Sequence, residues 1–485
     1  MEIQGPISAT PEDLPFGSAQ TEGSESNRLL REFDYVEEEY FVSGRASVYG
    51  PDSRRALEPG EETYVLRPLS TVRQADVPYK TRVLVIRPRD MQRFTGVTHA
   101  VPFHNLMAQA ATERNVLRRG DVWVGIEASE GTRFGPDEIL SGGIANLHRF
   151  NPKRYGDLSI QGGDPADWGE LTPGALGRAF KTLSFGSRGP EMEVFCQELW
   201  RGYAQGPDIF FDVVAELRAG SRLLGGAAAR RIYTYGASGG SQILRPMVEY
   251  HHDQRVGTDG QPPVDGYLIM VGVCPENRPK NAVLTIFQTE METQTLLNDG
   301  GTPPPDTDDP PFRFYEVPGT GHMFSAQPQA DSNPRAISEV LPEGIQGLSQ
   351  RDTSEEFEPY DKFNTPMIWA LWDAMYRWVE DGTPMPRAEN ITRDPSTTDG
   401  IARDEHLNAL GGLRTAWVDV PDAQYVARIS PGNPLAPGMK RFGGEQMSAL
   451  YGDRDQYRKL VAARLDEMVE QRWLLAEDIP LVMPS

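Results

Sequence analysis

The sequence predicts an α/β fold in which a mostly parallel sheet is covered by helices on both faces. Strand-like and helix-like segments alternate along the chain, and each strand-like segment is apolar nearly throughout. Such strands are typical of parallel sheets that are buried on both faces, because the connecting helices pack against each face. One of these segments runs directly into a glycine-rich turn and then into a helix, at Tyr235–Gln242 (YGASGGSQ). This turn contains Ser238, the main functional candidate in the chain.

The individual strands follow from runs of β-branched, aromatic and other apolar residues. Residues 34–80 are expected to add short antiparallel strands at one edge of the sheet. The predicted core strands are Arg82–Arg87, Val97–Phe103, Asp121–Glu127, Arg230–Tyr235, Val264–Gly272, Ala282–Phe287 and Phe312–Val317.

Helices are predicted where apolar residues recur on one helical face and a glycine follows as a stop. Pro246 falls within the helix after the glycine-rich turn, where it should remove a hydrogen bond and bend that helix. The predicted helices cover residues 209–217 (with Gly220 as the stop), 243–248, 367–380 (with Gly382) and 457–472.

The domain organisation follows from changes in this rhythm. Residues 1–30 are polar and are expected to form a flexible N-terminus, and residues 31–485 are expected to form a single elaborated domain. Residues 128–206 are rich in Gly, Pro and Asp and show little periodicity, which is typical of a lid or cap insertion. Residues 383–485 are expected to pack on the domain as a C-terminal extension.

Composition and charge argue against several classes of function. The 70 acidic and 48 basic residues give a net charge of −22, which disfavours binding to nucleic acid or to an anionic membrane surface. The two cysteines, Cys196 and Cys274, indicate no disulfide scaffold, and no cofactor or metal site is expected. The sequence as given starts without a signal peptide and contains no long apolar run, so a cytoplasmic location is expected.

Residues Gly236–Gly240 match the pattern G-x-S-x-G between a strand and a helix, which is the setting that a serine nucleophile requires. The serine must occupy a sharp turn, and bulky side chains two residues away on either side would collide with the adjoining strand and helix. The N–H group of Gly239 should point to where an oxyanion forms. Ser241 lacks the second glycine of the pattern and is predicted to be a residue of the first helical turn, beside the pocket.

A serine nucleophile needs a base, and elimination among the seven histidines favours His322. Three histidines precede Ser238, whereas this motif places the base after it. His251 and His252 lie on the helix that follows the serine and are predicted to be packing or surface residues. His406 has no strand before it, while His322 follows the last core strand in a glycine-rich loop.

The acid that orients this histidine is expected after the strand Ala282–Phe287. Glu290 and Glu292 both follow that strand, and either carboxylate could hold the imidazole. Glu292 is favoured, because it stands where an acid usually follows the strand. A second oxyanion donor is expected among the backbone N–H groups near Asn105 and Leu106, after the strand that ends in PFHNL.

Several segments of the chain resemble the bacterial α/β-hydrolase-domain proteins, a branch of the α/β-hydrolase superfamily. They include DYVEEEYFVSG, RRGDVWVGIEAS, YGASGGSQILR, QTEMET, FRFYEVPGTGHM and GGLRTAWVDVPDAQYVA, and they span nearly everything from residue 34 onward. The resemblance implies an α/β-hydrolase fold, with ester-type chemistry carried by Ser238, by Glu292 or Glu290, and by His322.

Two segments depart from the family pattern. The family usually has S-Q-S-G at the turn, where this chain has Ser238-Gly239-Gly240-Ser241. Before the oxyanion loop it usually has EWLN, where this chain has PFHN, so His104 is expected beside the pocket. Both departures are expected to alter substrate choice while leaving the three triad residues in place.

The function predicted from the sequence is a cofactor-independent serine hydrolase that acts on a small-molecule ester or lactone. The alternatives are an acyltransferase or amidase with the same triad, and a non-catalytic binding protein on a hydrolase scaffold. The substrate and the oligomeric state are not determined by the sequence.

Overall fold

The computed structural model of the chain describes two compact units. The described residues up to Leu284 belong to the N-terminal unit, and those from Thr285 onward belong to the C-terminal unit. The described residues are 1–10, 13–56, 63–102, 106–133, 139–141, 143–169, 190–298, 301–322, 356–428 and 437–484.

Outside residues 128–206, the N-terminal unit alternates between strands and helices from residue 97 onward, as the sequence predicts. A π-helical turn at Met247–His251 follows its last helix. The strands and helices are β1 (Glu2–Gln4), α1 (Glu25–Glu32), β2 (Tyr35–Gly50), β3 (Arg54–Ala56), β4 (Thr63–Val65), β5 (Thr71–Pro88), β6 (Val97–Val101), α2 (Leu106–Arg119), β7 (Val122–Ile126), β8 (Thr132–Arg133), β9 (Ile139–Ser141), α3 (Gly143–Phe150), α4 (Pro152–Tyr155), α5 (Pro165–Trp168), α6 (Pro190–Gly202), α7 (Gly206–Ala219), β10 (Arg231–Ala237), α8 (Gly239–Pro246) and β11 (Gly266–Met270).

One sheet organises the N-terminal unit, with the strand order β1-β2-β5-β7-β6-β10-β11. Strands β7, β6, β10 and β11 run parallel to one another, whereas β5, β2 and β1 are antiparallel additions at one edge. The predicted antiparallel edge is therefore confirmed. Its two main strands are long rather than short, because β2 has 16 residues and β5 has 18. The first residues of β5 are polar and mostly exposed, so the sequence did not indicate that the strand extends over them.

The parallel strands form the core of this unit. Every residue of β6, β7 and β11 is buried, which explains why these segments have no polar face in the sequence. The strand order reverses at β6, which has β7 on one side and β10 on the other. Ligands of open parallel sheets bind beside such a reversal, at the carboxyl ends of the strands. The turn after β10, which contains Ser238, lies at this position.

Pro246 ends helix α8, and the chain continues directly into the π-helical turn. The N–H group of His252 donates to the carbonyl oxygen of Met247 at 2.9 Å, five residues back. A proline leaves one helical carbonyl without its usual donor, and π turns often accommodate such irregularities. The discordant proline of the sequence therefore marks a change of helix type.

The segment predicted to be a flexible N-terminus contacts the sheet along its edge. Strand β1 pairs with Phe41–Ser43 of β2, and the N–H group of Ile7 donates to the carbonyl oxygen of Glu39 at 2.7 Å. The carboxylate of Glu37 accepts a hydrogen bond from the N–H group of Ala19 at 2.6 Å. These contacts connect residues far apart in sequence, so the polar composition of the segment did not indicate them.

The predicted lid insertion, residues 128–206, contains more regular structure than its composition indicates. Its described part includes helices α3 to α6 and the pairing of β8 with β9. Trp168 and Trp200 are fully buried within the described part. Helices α4 and α5 have only four residues each, too few for a helical period to be recognised in the sequence.

The C-terminal unit contains the last strands of the α/β pattern and a separate small sheet. Strands β12, β14 and β13 are neighbours in that order, and β15, β17 and β16 form the small sheet. The elements are β12 (Val283–Thr289, which begins at the end of the first unit), α9 (Glu290–Asn298), β13 (Thr307–Asp308), β14 (Pro311–Val317), β15 (Glu358–Pro359), α10 (Thr365–Asp381), α11 (Ala416–Asp419), β16 (Ala423–Val426), β17 (Gly438–Arg441), α12 (Gly444–Tyr451), α13 (Arg454–Glu470) and α14 (Ile479–Val482).

Candidate active site

Ser238 occupies the sharp turn between β10 and α8. Its φ of 53° and ψ of −120° place a non-glycine residue in a strained backbone region, and its side chain is partly exposed. The N–H group of Ser238 donates to the carbonyl oxygen of Met270, at the end of the neighbouring strand β11, over 3.1 Å. The turn is therefore fixed to the sheet at the residue that bears the strain.

The glycine at position 236 is required by close packing inside this turn. A Cβ atom at Gly236 would lie 2.5 Å from carbonyl atoms of Gly240, which is too close for any side chain. At Gly239, in contrast, the nearest atom that a Cβ would meet is a methyl carbon of Leu199 at 3.9 Å. Contact therefore requires glycine at position 236, whereas at position 239, a variable position of the pattern, it does not.

Ser241 contributes to the turn from inside. Its side chain is fully buried, and its hydroxyl group donates to the carbonyl oxygen of Ser238 over 2.5 Å. A Cβ atom at Gly272 would overlap the hydroxyl oxygen of Ser241 at 1.7 Å. Ser241 thus lies in the first turn of α8, as predicted, and its hydroxyl group supports the backbone of the serine turn. Its place beside the pocket stays a prediction.

A buried ion pair supports helix α8 from the side of α6. Arg245 donates to both carboxylate oxygens of Glu193, at 2.9 and 3.0 Å, and the guanidinium group lies 4.7 Å from the ring centre of Trp200. The Trp200 indole N–H donates to the carbonyl oxygen of Gln242 at 2.9 Å. Burial lowers the pKa of Arg245, but the Glu193 carboxylate outweighs this effect and raises it overall. The helix that follows Ser238 is thus anchored by α6 at two successive turns.

In the C-terminal unit, the structure brings His322 and Glu292 together. Oε1 of Glu292 lies 2.7 Å from Nδ1 of His322, and both side chains are almost fully buried. The other carboxylate oxygen, Oε2, accepts hydrogen bonds from the N–H group of Thr289 at 3.2 Å and from the Thr289 hydroxyl group. Since the carboxylate can only accept, it favours the tautomer with the proton on Nδ1, which makes Nε2 the basic nitrogen.

Glu290, the other predicted acid, fixes the loop that carries the histidine. Its Oε2 accepts from the N–H group of Gly319 at 2.7 Å, and its Oε1 accepts from Arg403 at 2.8 Å. Burial lowers the pKa of Arg403, but the carboxylates of Glu290 and Asp399 raise it overall. The two candidates that the sequence left open therefore have different contacts, and the one with His322 is made by Glu292.

The histidine loop is narrow and lies against strand β16. Gly319 has a φ of 68°, which favours glycine, and a Cβ atom there would lie 3.1 Å from Cβ of Tyr425. A Cβ atom at Gly321 would lie 2.4 Å from the carbonyl oxygen of Ala427. Any side chain at Gly321 would therefore push the loop that carries His322 away from the chain that follows β16.

The model of the family described as "Alpha/beta hydrolase domain" matches residues 3–483, nearly the whole chain. The chain belongs to this family. The expected α/β-hydrolase fold, with its mostly parallel sheet, is thereby confirmed.

Solved structures that resemble this α/β-hydrolase include three bacterial proteins, all at low similarity. One from Klebsiella pneumoniae, assigned as a dienelactone hydrolase, has a TM-score of 0.25 and 10% identity, with 62% of this chain and 96% of that chain covered. A serine hydrolase without a lid from Xanthomonas campestris has a TM-score of 0.23 and 11% identity, with coverages of 62% and 95%. A glucuronoyl esterase from Teredinibacter turnerae has a TM-score of 0.24 and 10% identity, with coverages of 72% and 78%. None of the curated proteins compared with the chain matches it.

The remaining site residues predicted for this α/β-hydrolase cannot all be placed. His104 and Asn105 lie outside the described residues, Leu106 is the first residue of α2, and Gly239 is the first residue of α8. His251 and His252 are buried and hydrogen-bonded to the carbonyl oxygens of Leu69 and Lys280, each at 2.8 Å, which agrees with a packing role.

The described residues of this α/β-hydrolase have three further properties that bear on its chemistry. They contain no group of three or more His, Cys, Asp or Glu side chains that could hold a metal ion. Among them, no helix is both long and apolar enough to cross a membrane. Cys196 and Cys274 are not joined in a disulfide.

Sequence reasoning missed the residues that support the candidate site of the α/β-hydrolase. Glu193 and Arg245 lie 52 residues apart, and Glu290 and Arg403 lie 113 apart, so no local pattern links either pair. Thr289 directly precedes the two candidate acids, and its closeness to them in the sequence was the one available signal.

Proposed function

We propose that the chain is a serine hydrolase that cleaves a carboxylic ester or lactone through an acyl-enzyme on Ser238. The observation that carries the proposal is the strained backbone of Ser238 at the strand-to-helix turn after β10. Strain of this kind persists where the surrounding structure enforces it, and it is common at catalytic residues. The hydrogen bond between Glu292 and His322 supplies an oriented base of the type that such a serine needs.

In the proposed reaction, Nε2 of His322 takes the hydroxyl proton while Oγ of Ser238 attacks the carbonyl carbon of the ester. The N–H group of Gly239 stabilises the oxyanion, and a second donor is proposed from the backbone near Asn105 and Leu106. The acyl C–O bond then breaks, and the alcohol leaves with the proton from His322. Water, deprotonated by His322, attacks the acyl-enzyme, which releases the carboxylic acid and restores Ser238.

Glu292 orients the imidazole and stabilises the imidazolium ion that forms in each half-reaction. Since its other oxygen is held by Thr289, the carboxylate cannot rotate away without losing hydrogen bonds. Glu290 is proposed to act indirectly, because it bonds to Gly319 and Arg403.

The test is labelling of the full chain with a fluorophosphonate probe, followed by peptide mapping. We expect a single adduct on Ser238 in the wild type and none in Ser238→Ala. Ser241→Ala is the matched control, because it alters the same turn and should retain labelling of Ser238. Hydrolysis of esters and lactones is then assayed with wild-type protein that has not been treated with the probe. Absence of any adduct in folded wild-type protein would contradict the proposal. An adduct on Ser241 would show that the nucleophile is Ser241 and not Ser238.

A further inference from the structure

Arg428 lies beside the loop that carries His322. It follows Ala427, whose carbonyl oxygen packs so closely against Gly321 that a Cβ atom there would lie 2.4 Å away. Gly321 directly precedes His322 in the sequence. The backbone positions of Arg428 and His322 are therefore each one residue from this contact.

The guanidinium group of Arg428 has no carboxylate partner among the described residues. Other arginines in the same unit do have one: Arg393 pairs with Glu316, Arg403 with Glu290, and Arg414 with Asp419. The Arg428 side chain is exposed, so a solute can reach it.

The surroundings of Arg428 combine exposure with partial desolvation. Desolvation by neighbouring protein lowers the pKa of its guanidinium group, and the charge of Glu292 opposes that shift. The carboxylate of Glu292 is hydrogen-bonded to His322 and Thr289 and forms no ion pair with Arg428, so it acts on the guanidinium group through its charge alone.

We propose that Arg428 binds a carboxylate group on the substrate, so that the preferred ester is a half-ester of a dicarboxylic acid. This inference rests on the proposed serine-hydrolase function and names the substrate class of that site. A guanidinium group offers paired N–H donors that match the two oxygens of a carboxylate. A local cation is needed for such a substrate, because the chain as a whole carries a net charge of −22 and repels anions.

The first experiment compares matched anionic and neutral esters. The 4-nitrophenyl monoesters of succinate, glutarate and adipate are assayed beside 4-nitrophenyl butyrate, pentanoate and hexanoate, which have the same numbers of acyl carbons. We expect Arg428→Gln to lower kcat/KM by about tenfold to a hundredfold for at least one anionic ester, as for loss of a charged hydrogen bond. The matched neutral ester should change less than about twofold, and Arg428→Lys should retain part of the preference. Arg458→Gln, on helix α13, is the control for loss of one positive charge.

The second experiment measures binding without turnover. Titration calorimetry with succinate, glutarate and adipate should detect binding to the wild type and to Arg458→Gln, and weaker binding to Arg428→Gln. Equal effects of Arg428→Gln on anionic and neutral esters, or binding that is independent of Arg428, would overturn the inference. If folded wild-type protein hydrolyses no ester and Ser238 is not labelled, the proposed function fails. Arg428-dependent binding of a dicarboxylate would then still identify an anion site.

Discussion

The carboxylate of Glu292 contacts Nδ1 of His322 at 2.7 Å, and the same carboxylate is held on its other oxygen by Thr289. Two residues earlier, Glu290 bonds to the backbone of the histidine loop and to Arg403. Two glutamates in one helical turn thus make separate contacts, one with the imidazole and one with its loop. The contribution of each contact can therefore be measured separately, by substituting glutamine for Glu290 or for Glu292.

Glu292→Gln should lower kcat by roughly three to four orders of magnitude, because an amide can donate to Nδ1 and stabilise the wrong tautomer. Glu290→Gln should lower the free energy of unfolding by about 1–3 kcal/mol through its weakened bonds to Gly319 and Arg403. It should reduce kcat much less than Glu292→Gln does. Ester kinetics and urea unfolding of both variants provide the check. Similar losses of kcat in the two variants would contradict the assignment of the acid to Glu292.

Gly236→Ala should disrupt the serine turn, since the added methyl group would lie 2.5 Å from carbonyl atoms of Gly240. We expect a loss of about 1–3 kcal/mol in stability, or more, and loss of labelling at Ser238. Gly239→Ala is the matched control, because the nearest atom to its Cβ is 3.9 Å away. Thermal unfolding and fluorophosphonate labelling compare the two. Equal damage at both positions would show that the turn is not constrained as described.

The buried pair of Glu193 and Arg245 should show strong coupling in a double-mutant cycle. Glu193→Gln leaves a buried guanidinium group without its charge partner and should cost about 3–5 kcal/mol, as should Arg245→Met. The double variant should be less destabilised than the sum of the single variants, because neither charge remains buried alone. Denaturant unfolding of the four proteins measures the coupling. Additive effects would show that this pair does not stabilise helix α8.

The buried carboxyl group of Glu113 should make stability depend on pH. Burial raises its pKa from the ordinary value of 4.5 to about 7, although the hydroxyl group of Ser26, which donates to it at 2.7 Å, opposes the shift. The folded protein therefore holds this proton more tightly than the unfolded chain does. The resulting stability is present below pH 4.5 and is lost as the pH rises through 7.

Relative to Glu113→Gln, the wild type should thus lose about 3 kcal/mol of stability between pH 4.5 and 8. The melting temperature of both proteins, measured across this range, checks the prediction. A difference between them that does not change with pH would show that Glu113 titrates normally in the fold.

How much the sequence could predict depended on how local each signal was. The core strands were recognisable because burial on both faces leaves them without an alternating polar face, as in β11. The serine turn was recognisable because Gly236, Ser238 and Gly240 stand within five residues, and backbone sterics dictate that spacing. The order of strand, acid and histidine along the chain predicted Glu292 and His322 as candidate triad residues.

The supporting contacts could not be predicted, because they join distant parts of the chain. Nothing near Glu290 in the sequence indicates Arg403, and nothing near His322 indicates Ala427 or Arg428. The choice between Glu290 and Glu292 likewise depended on which carboxylate turns toward the imidazole. That direction follows from tertiary packing rather than from any spacing.

The strand β1 has a consequence for how the protein behaves in concentrated solution. Residues Glu2–Gln4 pair with the outer side of β2 at Phe41–Ser43, and the N–H group of Ile7 donates to the carbonyl oxygen of Glu39. Without β1, this part of β2 would offer unpaired N–H and C=O groups to another molecule. The residues of β1 therefore protect β2 from edge-to-edge aggregation with another molecule. Their removal is expected to reduce solubility before it affects the chemistry at Ser238.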